Sequence, residues 1–237
     1  MDVKNIYKSS WNFFVNNYTK FLPLVALFFI ISLITEADTV INKFIPDVAY
    51  DWYSIVLIAV SLFAFAYLIK INLALFVSVN SLLKNEEINT GKALRSAKGI
   101  MRLIGNTFLI ILIWLIPYVL LGLFFGFTSI VTLYIFTYFT ESLYPFISQI
   151  ILFEEKKGVI RRNFRLMKGI YLKLFLLNAP ILIVIIYGLL ENTLGIQWMF
   201  YYRMGYLLLS IFFVLPFSAV ILTNVYQQLI SRERGNE

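Results

Sequence analysis

The sequence predicts an all-α polytopic membrane protein: a helical bundle of six transmembrane helices, arranged as three repeats of a cytoplasmic amphipathic helix followed by two spans. Three observations predict it. Of 237 residues 60% are apolar and only 14% charged, with mean hydropathy +0.82, which leaves too little polar surface to coat a soluble domain of this size. Apolar runs long enough to cross a bilayer recur along the chain. A basic amphipathic leader precedes each successive pair of runs, at Val3–Lys20, Asn89–Gly105 and Lys157–Lys173.

The first leader sets Val3, Ile6, Tyr7, Ser10 and Phe14 opposite Lys4 and Lys8 and feeds a span over Phe21–Ile41. That run starts too late for a signal peptide and no small-x-small cleavage pattern follows it, so it reads as a retained span. The second span is Ser54–Val79. In the second leader Ala93, Leu94, Ala97, Ile100, Met101 and Ile104 recur at helical spacing against Lys92, Arg95, Lys98 and Arg102. Asn89 and Thr90 are its candidate N-caps. Spans over Thr107–Phe125 and Phe127–Phe153 follow, with Gly126 at the tight connection. The third leader sets Ile160, Phe164, Met167, Tyr171 and Leu174 against Arg161, Arg162, Arg165 and Lys168, before spans at Leu174–Glu191 and Met204–Val225. A shift of 67 positions aligns Gly91 with Gly158, Arg95 with Arg162 and Lys98 with Arg165. The expectation is a single membrane domain over 1–237, with parallel repeats at 1–83, 84–153 and 154–237 related by an axis along the membrane normal.

Charge fixes the orientation. Of the 20 Lys and Arg residues only Lys43 and Arg203 fall on the far side, beside Glu36, Asp38, Asp47, Asp51 and Glu191, while Lys70 falls within a span. The positive-inside rule then places both termini and all leaders in the cytoplasm of a multi-pass cell-membrane protein. Trp52, Tyr53, Trp198, Tyr201 and Tyr202 form an outer aromatic belt. The expected partners are the lipid bilayer and its anionic phospholipids, through Lys92, Arg95, Lys98, Arg102, Arg161, Arg162, Arg165 and Lys168. The competing reading is that the leaders only anchor the bundle. A membrane protein partner stays open. Nucleic acid is not expected, because these cations alternate with a membrane-seeking face.

The chain has no cysteine and no histidine, which removes thiolate and disulfide chemistry, the commonest metal ligand and the usual proton shuttle. No catalytic residue, metal or cofactor is expected. Glu86-Glu87 and Glu154-Glu155 read either as a divalent-cation site or as solvated connection charges. Inside the spans the candidate polar site is Lys70 with Thr137, Glu141, Tyr144 and Ser148; the last four share one helix face. Pro145 removes the backbone bond to the Glu141 carbonyl and predicts a kink. Three readings stand: a snorkelling Lys70 with a neutral Glu141, a structural Lys70–Glu141 ion pair, or a transport site. Gly122 and Gly126 would permit close helix approach, and Pro180 and Pro216 would bend the last two spans.

The stretch from Glu154 through Gly158 and Arg162 to Lys168-Gly169, with its earlier copy from Asn85 to Leu94, resembles the membrane domains of bacterial glycerophosphoryl diester phosphodiesterases and their stand-alone relatives. In that family an acidic-Gly turn ending one span leads to a short basic helix closed by Lys/Arg-Gly. The resemblance implies a membrane module; the catalytic barrel of those enzymes has no counterpart here. Mitochondrial carriers share a three-repeat plan, but their Pro-x-acidic-x-x-basic signature does not follow Pro23, Pro117 or Pro180. The function expected is therefore a non-enzymatic membrane module with an accessory or regulatory role, or one in envelope homeostasis or immunity. The alternative is a small transporter or channel for an ion, lipid or peptide centred on Lys70 and Glu141. A carboxylate-only lipid-modifying enzyme is the third reading, and no acidic pair at the interface supports it.

Overall fold

Where no water is available, backbone amides must bond within their own segment, so long apolar runs form continuous helices. The computed structural model describes residues 2–35, 50–125, 138, 142–154, 158–183 and 199–235. Its helices are α1 (Val3–Thr35), α2 (Tyr50–Leu83), α3 (Thr90–Ser96), α4 (Ile100–Phe125), α5 (Ile147–Phe153), α6 (Val159–Met167), α7 (Tyr171–Leu177), α8 (Met199–Leu209) and α9 (Leu215–Gly235), with a π-helical turn, Ser210–Val214, joining α8 to α9. No strand occurs among the described residues. Three helical stretches, Val3–Leu33, Ala59–Leu83 and Met204–Gly235, are long and apolar enough to cross a membrane. A fourth joins them if Thr90–Ser96 and Ile100–Ile113, bent by 62°, count as one broken span. Of the predicted spans Phe127–Phe153 and Leu174–Glu191, residues 127–137, 139–141 and 184–191 lie outside the described residues. So do Gly126 and the side chains of the aromatic belt.

The core forms where α1, α2 and α9 pack together, with α5 against them. Phe21 and Leu24 of α1, Ile71, Leu73 and Leu75 of α2, Ile150 of α5 and Ile221 and Tyr226 of α9 are fully buried. Trp11, Phe14, Phe213 and Phe217 make a cluster of edge and tilted contacts at 5.5–6.0 Å between ring centroids. Outward faces stay apolar, with Phe63 on α2 and Phe108 and Ile116 on α4 exposed, as a surface facing acyl chains requires.

The leaders depart from expectation in three ways. The first is no separate element, since α1 runs unbroken through Lys20 and Pro23 into the apolar run. The second and third are short helices, each ended at a Lys-Gly pair whose glycine is left-handed (Gly99 φ 87°, Gly169 φ 82°), a conformation that costs other residues dearly. Their apolar faces are partly covered by protein. Ala93 and Ala97 of the second, and Val159, Leu166 and Met167 of the third, are buried in protein, whereas Met101 points outward at 80% exposure.

The register also differs. Gly158 is the left-handed N-cap of α6, while Gly91 sits inside α3, so a 67-residue shift does not superpose them. A 70-residue shift does better, matching Ala93 with Asn163, Ala97 with Met167 and Gly99 with Gly169, three pairs alike in burial or backbone conformation. Asn89 caps α3 as expected, its Oδ1 accepting from the Lys92 N–H at 2.8 Å.

Candidate functional site

Three prolines, Pro145, Pro180 and Pro216, stand at irregular helical turns, and at each a polar side chain from another helix bonds backbone groups that the interruption leaves without a helical partner. At Pro145 the chain turns over Tyr144–Phe146 before α5 begins. Asn163, wholly buried on α6, reaches into this break. Its Nδ2 donates to the Leu143 carbonyl at 2.8 Å and its Oδ1 accepts from the Phe146 N–H at 3.1 Å. One side-chain amide thus serves both a freed acceptor and a freed donor, as a backbone amide would. Beside it the Tyr144 ring stands edge-on to Phe164 at 5.4 Å.

Helix α1 serves two other breaks. Pro180 cannot donate to the Leu176 carbonyl, and the Tyr7 hydroxyl does so instead at 2.7 Å. Pro216 lacks the N–H that would reach the Phe212 carbonyl in α register. There the chain takes its π turn, and the Tyr18 hydroxyl donates to Phe212 at 3.1 Å. Tyr7 and Tyr18 are eleven residues apart, about three helical turns, so one face of α1 carries both. Ser9 and Ser10 on the same helix accept from Asn224 Nδ2 at 3.2 Å.

Next to Asn163, Arg162 faces the other way, into a polar cleft of about 410 Å³ lined by Asn80, Lys84, Glu154, Gln227 and Arg234 among others. Its Nε donates to Glu154 at 2.8 Å and its Nη1 to Glu233 near the end of α9, also at 2.8 Å; Nη2 bonds the second Glu233 oxygen. The other Glu154 oxygen accepts from Tyr226 at 2.8 Å. The Glu233 hydrogen bond above all, and then Glu154, hold the guanidinium still further above its ordinary pKa, against the opposing effect of burial. Gln227 donates to Asn80, tying α9 to α2. Neighbouring residues of α6 therefore grip two things, the C-terminal end of α9 and the Pro145 break. The arrangement couples them mechanically.

Of the predicted intramembrane site, Tyr144 and Ser148 flank the Pro145 break and are half-buried, as is Lys70 on α2. Thr137 and Glu141 lie outside the described residues, and with them the Lys70–Glu141 pair. Of the predicted lipid-facing cations, Lys92, Arg95, Lys98, Arg102, Arg161, Arg165 and Lys168 are exposed, whereas the Arg162 side chain is only 11% exposed and held by carboxylates. Glu154 is accordingly held by Arg162 and Tyr226 rather than solvated, Glu155 lies outside the described residues, and no group of three or more potential metal ligands occurs among the described residues. Buried Gln149 on α5 and Thr223 on α9 have no hydrogen-bond partner among the described residues.

Sequence reasoning missed Asn163, Tyr7 and Tyr18 as functional contacts. A signal existed for each. Asn163 falls four residues from both Val159 and Met167, on the apolar face of its helix, and the tyrosines share a face spaced to meet two proline breaks. The chain matches no known protein family, no curated protein and no solved structure.

Proposed function

We propose that this chain is a non-catalytic multi-pass module of the cell membrane, with both termini and its basic segments in the cytoplasm, serving as an accessory or regulatory partner of another membrane protein, or in envelope homeostasis or immunity. The observation that carries this reading is the use made of polar side chains. Asn163, Tyr7, Tyr18 and Arg162 close proline breaks and link helix ends, so their donors serve internal mechanics. Seven exposed cations beside the hinges support contact with anionic headgroups. The three-repeat plan belongs to the same proposal, and the matching Lys-Gly hinges support it for the second and third units.

The second reading, a transporter centred on Lys70, Thr137, Glu141, Tyr144 and Ser148, is favoured by the interrupted helix at Pro145, since broken helices near polar groups line many transport sites. One experiment separates the two. The full chain, reconstituted alone in liposomes, should carry no ion, lipid or peptide flux above empty vesicles, and crosslinking in cells should capture a membrane protein at stoichiometric yield. Flux that Glu141→Gln abolishes would reject the accessory reading for the transport one. Topology is tested separately: Ser96→Cys should be protected from impermeant reagent in sealed cells and Ala49→Cys labelled, and the reverse pattern would overturn the orientation.

A further inference from the structure

The α2–α3 turn and the flank of α1 enclose a cleft of about 770 Å³ whose charges differ from the rest of this basic protein. Lys20 and Lys92 contribute two cations, Glu86 and Glu87 two carboxylates, and Phe13 and Leu82 an apolar wall. Its formal charge is balanced within a chain of net +7. Among the described residues none of the four charged side chains makes an ion pair, although opposite charges share the one cleft.

The walls are held in place by backbone bonds. Asn85 adopts the left-handed conformation (φ 60°) and ends α2, and the Glu86 N–H bonds back to the Ser81 carbonyl at 2.9 Å, the closure of a Schellman turn. The Asn89 cap fixes the backbone of Lys92. Lys20 immediately precedes the apolar run of α1, which sets the cleft at headgroup depth. A rigid, neutral-overall cleft with separate unpaired cations and carboxylates and an apolar wall fits a ligand with both charges and a hydrocarbon tail.

We propose that this cleft binds a phosphoethanolamine headgroup, that of a zwitterionic aminophospholipid, with the phosphate on Lys20 and Lys92 and the ammonium on Glu86 and Glu87. A primary ammonium donates three hydrogen bonds to carboxylates, whereas the trimethylammonium of a choline lipid donates none. The apolar wall of Phe13 and Leu82 assigns the source to a lipid rather than to the free headgroup.

The test is native mass spectrometry of the full-length protein released from nanodiscs of equal phosphatidylethanolamine, phosphatidylcholine and phosphatidylglycerol. The expected result is retention of phosphatidylethanolamine about tenfold over phosphatidylcholine, the ratio two charge-assisted hydrogen bonds can supply. Glu86→Gln/Glu87→Gln should move the phosphatidylethanolamine-to-phosphatidylglycerol ratio about tenfold toward the anionic lipid, and Lys20→Gln/Lys92→Gln should release both. All four side chains are exposed, so both double variants should melt with the parent, and melting is recorded alongside. Equal retention of the ethanolamine and choline lipids, or a ratio unmoved by the glutamate substitutions, would overturn the proposal. Displacement of the lipid by soluble phosphoethanolamine at equal concentration would overturn its assignment to a lipid.

Discussion

The α3–α4 and α6–α7 hinges share a backbone plan and are held by different chemistry. Each ends a short basic helix at a Lys-Gly pair with a left-handed glycine. In the first hinge the inward positions are Ala93 and Ala97, and a Cβ added at Gly99 would come within 2.5 Å of Ile151 Cγ2 on α5. In the second, the position equivalent to Ala93 is Asn163, which bonds the backbone of the Pro145 break, and nothing lies within 4 Å of a Cβ at Gly169. The first hinge is thus fixed by close apolar contact and the second by directional hydrogen bonds. Contact resists compression; hydrogen bonds resist separation. The same backbone is therefore held by packing in one place and by hydrogen bonds in the other.

The largest expected effect removes the polar key. Asn163→Leu keeps similar volume but leaves the Leu143 carbonyl and the Phe146 N–H unpaired in a buried site. Orphaned buried groups cost about 1–3 kcal/mol each, so the variant should lose about 3–4 kcal/mol in detergent melting. Asn163→Asp, which keeps the acceptor and loses the donor, should not restore the parent. An Asn163→Leu protein that melts with the parent would mean that the break holds itself and the comparison has no second term.

Glycine substitutions sharpen the contrast. The left-handed conformation alone costs a non-glycine residue about 1–2 kcal/mol, so Gly169→Ala should lose about that much. Gly99→Ala adds a collision with Ile151 and should lose about 3 kcal/mol. In an Ile151→Ala background the Gly99→Ala cost should fall to that of Gly169→Ala, read from urea or thermal unfolding of the double variant. Equal costs in the parent background would show that Ile151 gives way and that the first hinge is not fixed by contact.

How far these features are legible in the sequence varies with the kind of interaction. Long apolar runs and the cation stripe of the leaders read directly, because period and hydropathy are local properties of sequence. The Lys-Gly ends are visible too, yet the register read from the glycines is three residues off: Gly91 and Gly158 look alike in sequence, and only backbone conformation separates a helix-interior glycine from a left-handed cap. Periodicity shows that a leader's face is apolar and not what lies against it: Ala93 and Met167 turn out to be covered by protein, while Met101 on the same face as Ala93 is exposed. The bonds from Tyr7 to Leu176 and from Arg162 to Glu233 join residues far apart in the chain. Which donor meets the Leu176 carbonyl that Pro180 abandons, or which carboxylate meets Arg162, can be stated only after the neighbours are known.

The smallest expected effect compares the basic residues that the 70-residue register pairs, Lys92 and Arg162. Lys92 is exposed and Arg162 is nearly covered, with Nε on Glu154 and both Nη atoms on Glu233. Lysine keeps the charge but offers a single ammonium in place of a planar fork, so it cannot serve both carboxylates in this geometry. The Glu233 side chain is 37% exposed and that of Glu154 only 10%, so solvent compensates the first loss better than the second. Arg162→Lys should therefore lose about 1–2 kcal/mol, and Lys92→Met at the equivalent position less than about 0.5 kcal/mol. Adding Glu233→Gln to Arg162→Lys should cost little more, because the fork that engaged Glu233 is already gone. If Lys92→Met proves as costly as Arg162→Lys, the two hinges draw equally on their cations and the contrast between them fails; if the Glu233→Gln cost stays undiminished in the Arg162→Lys background, the Arg162 fork is not what holds Glu233.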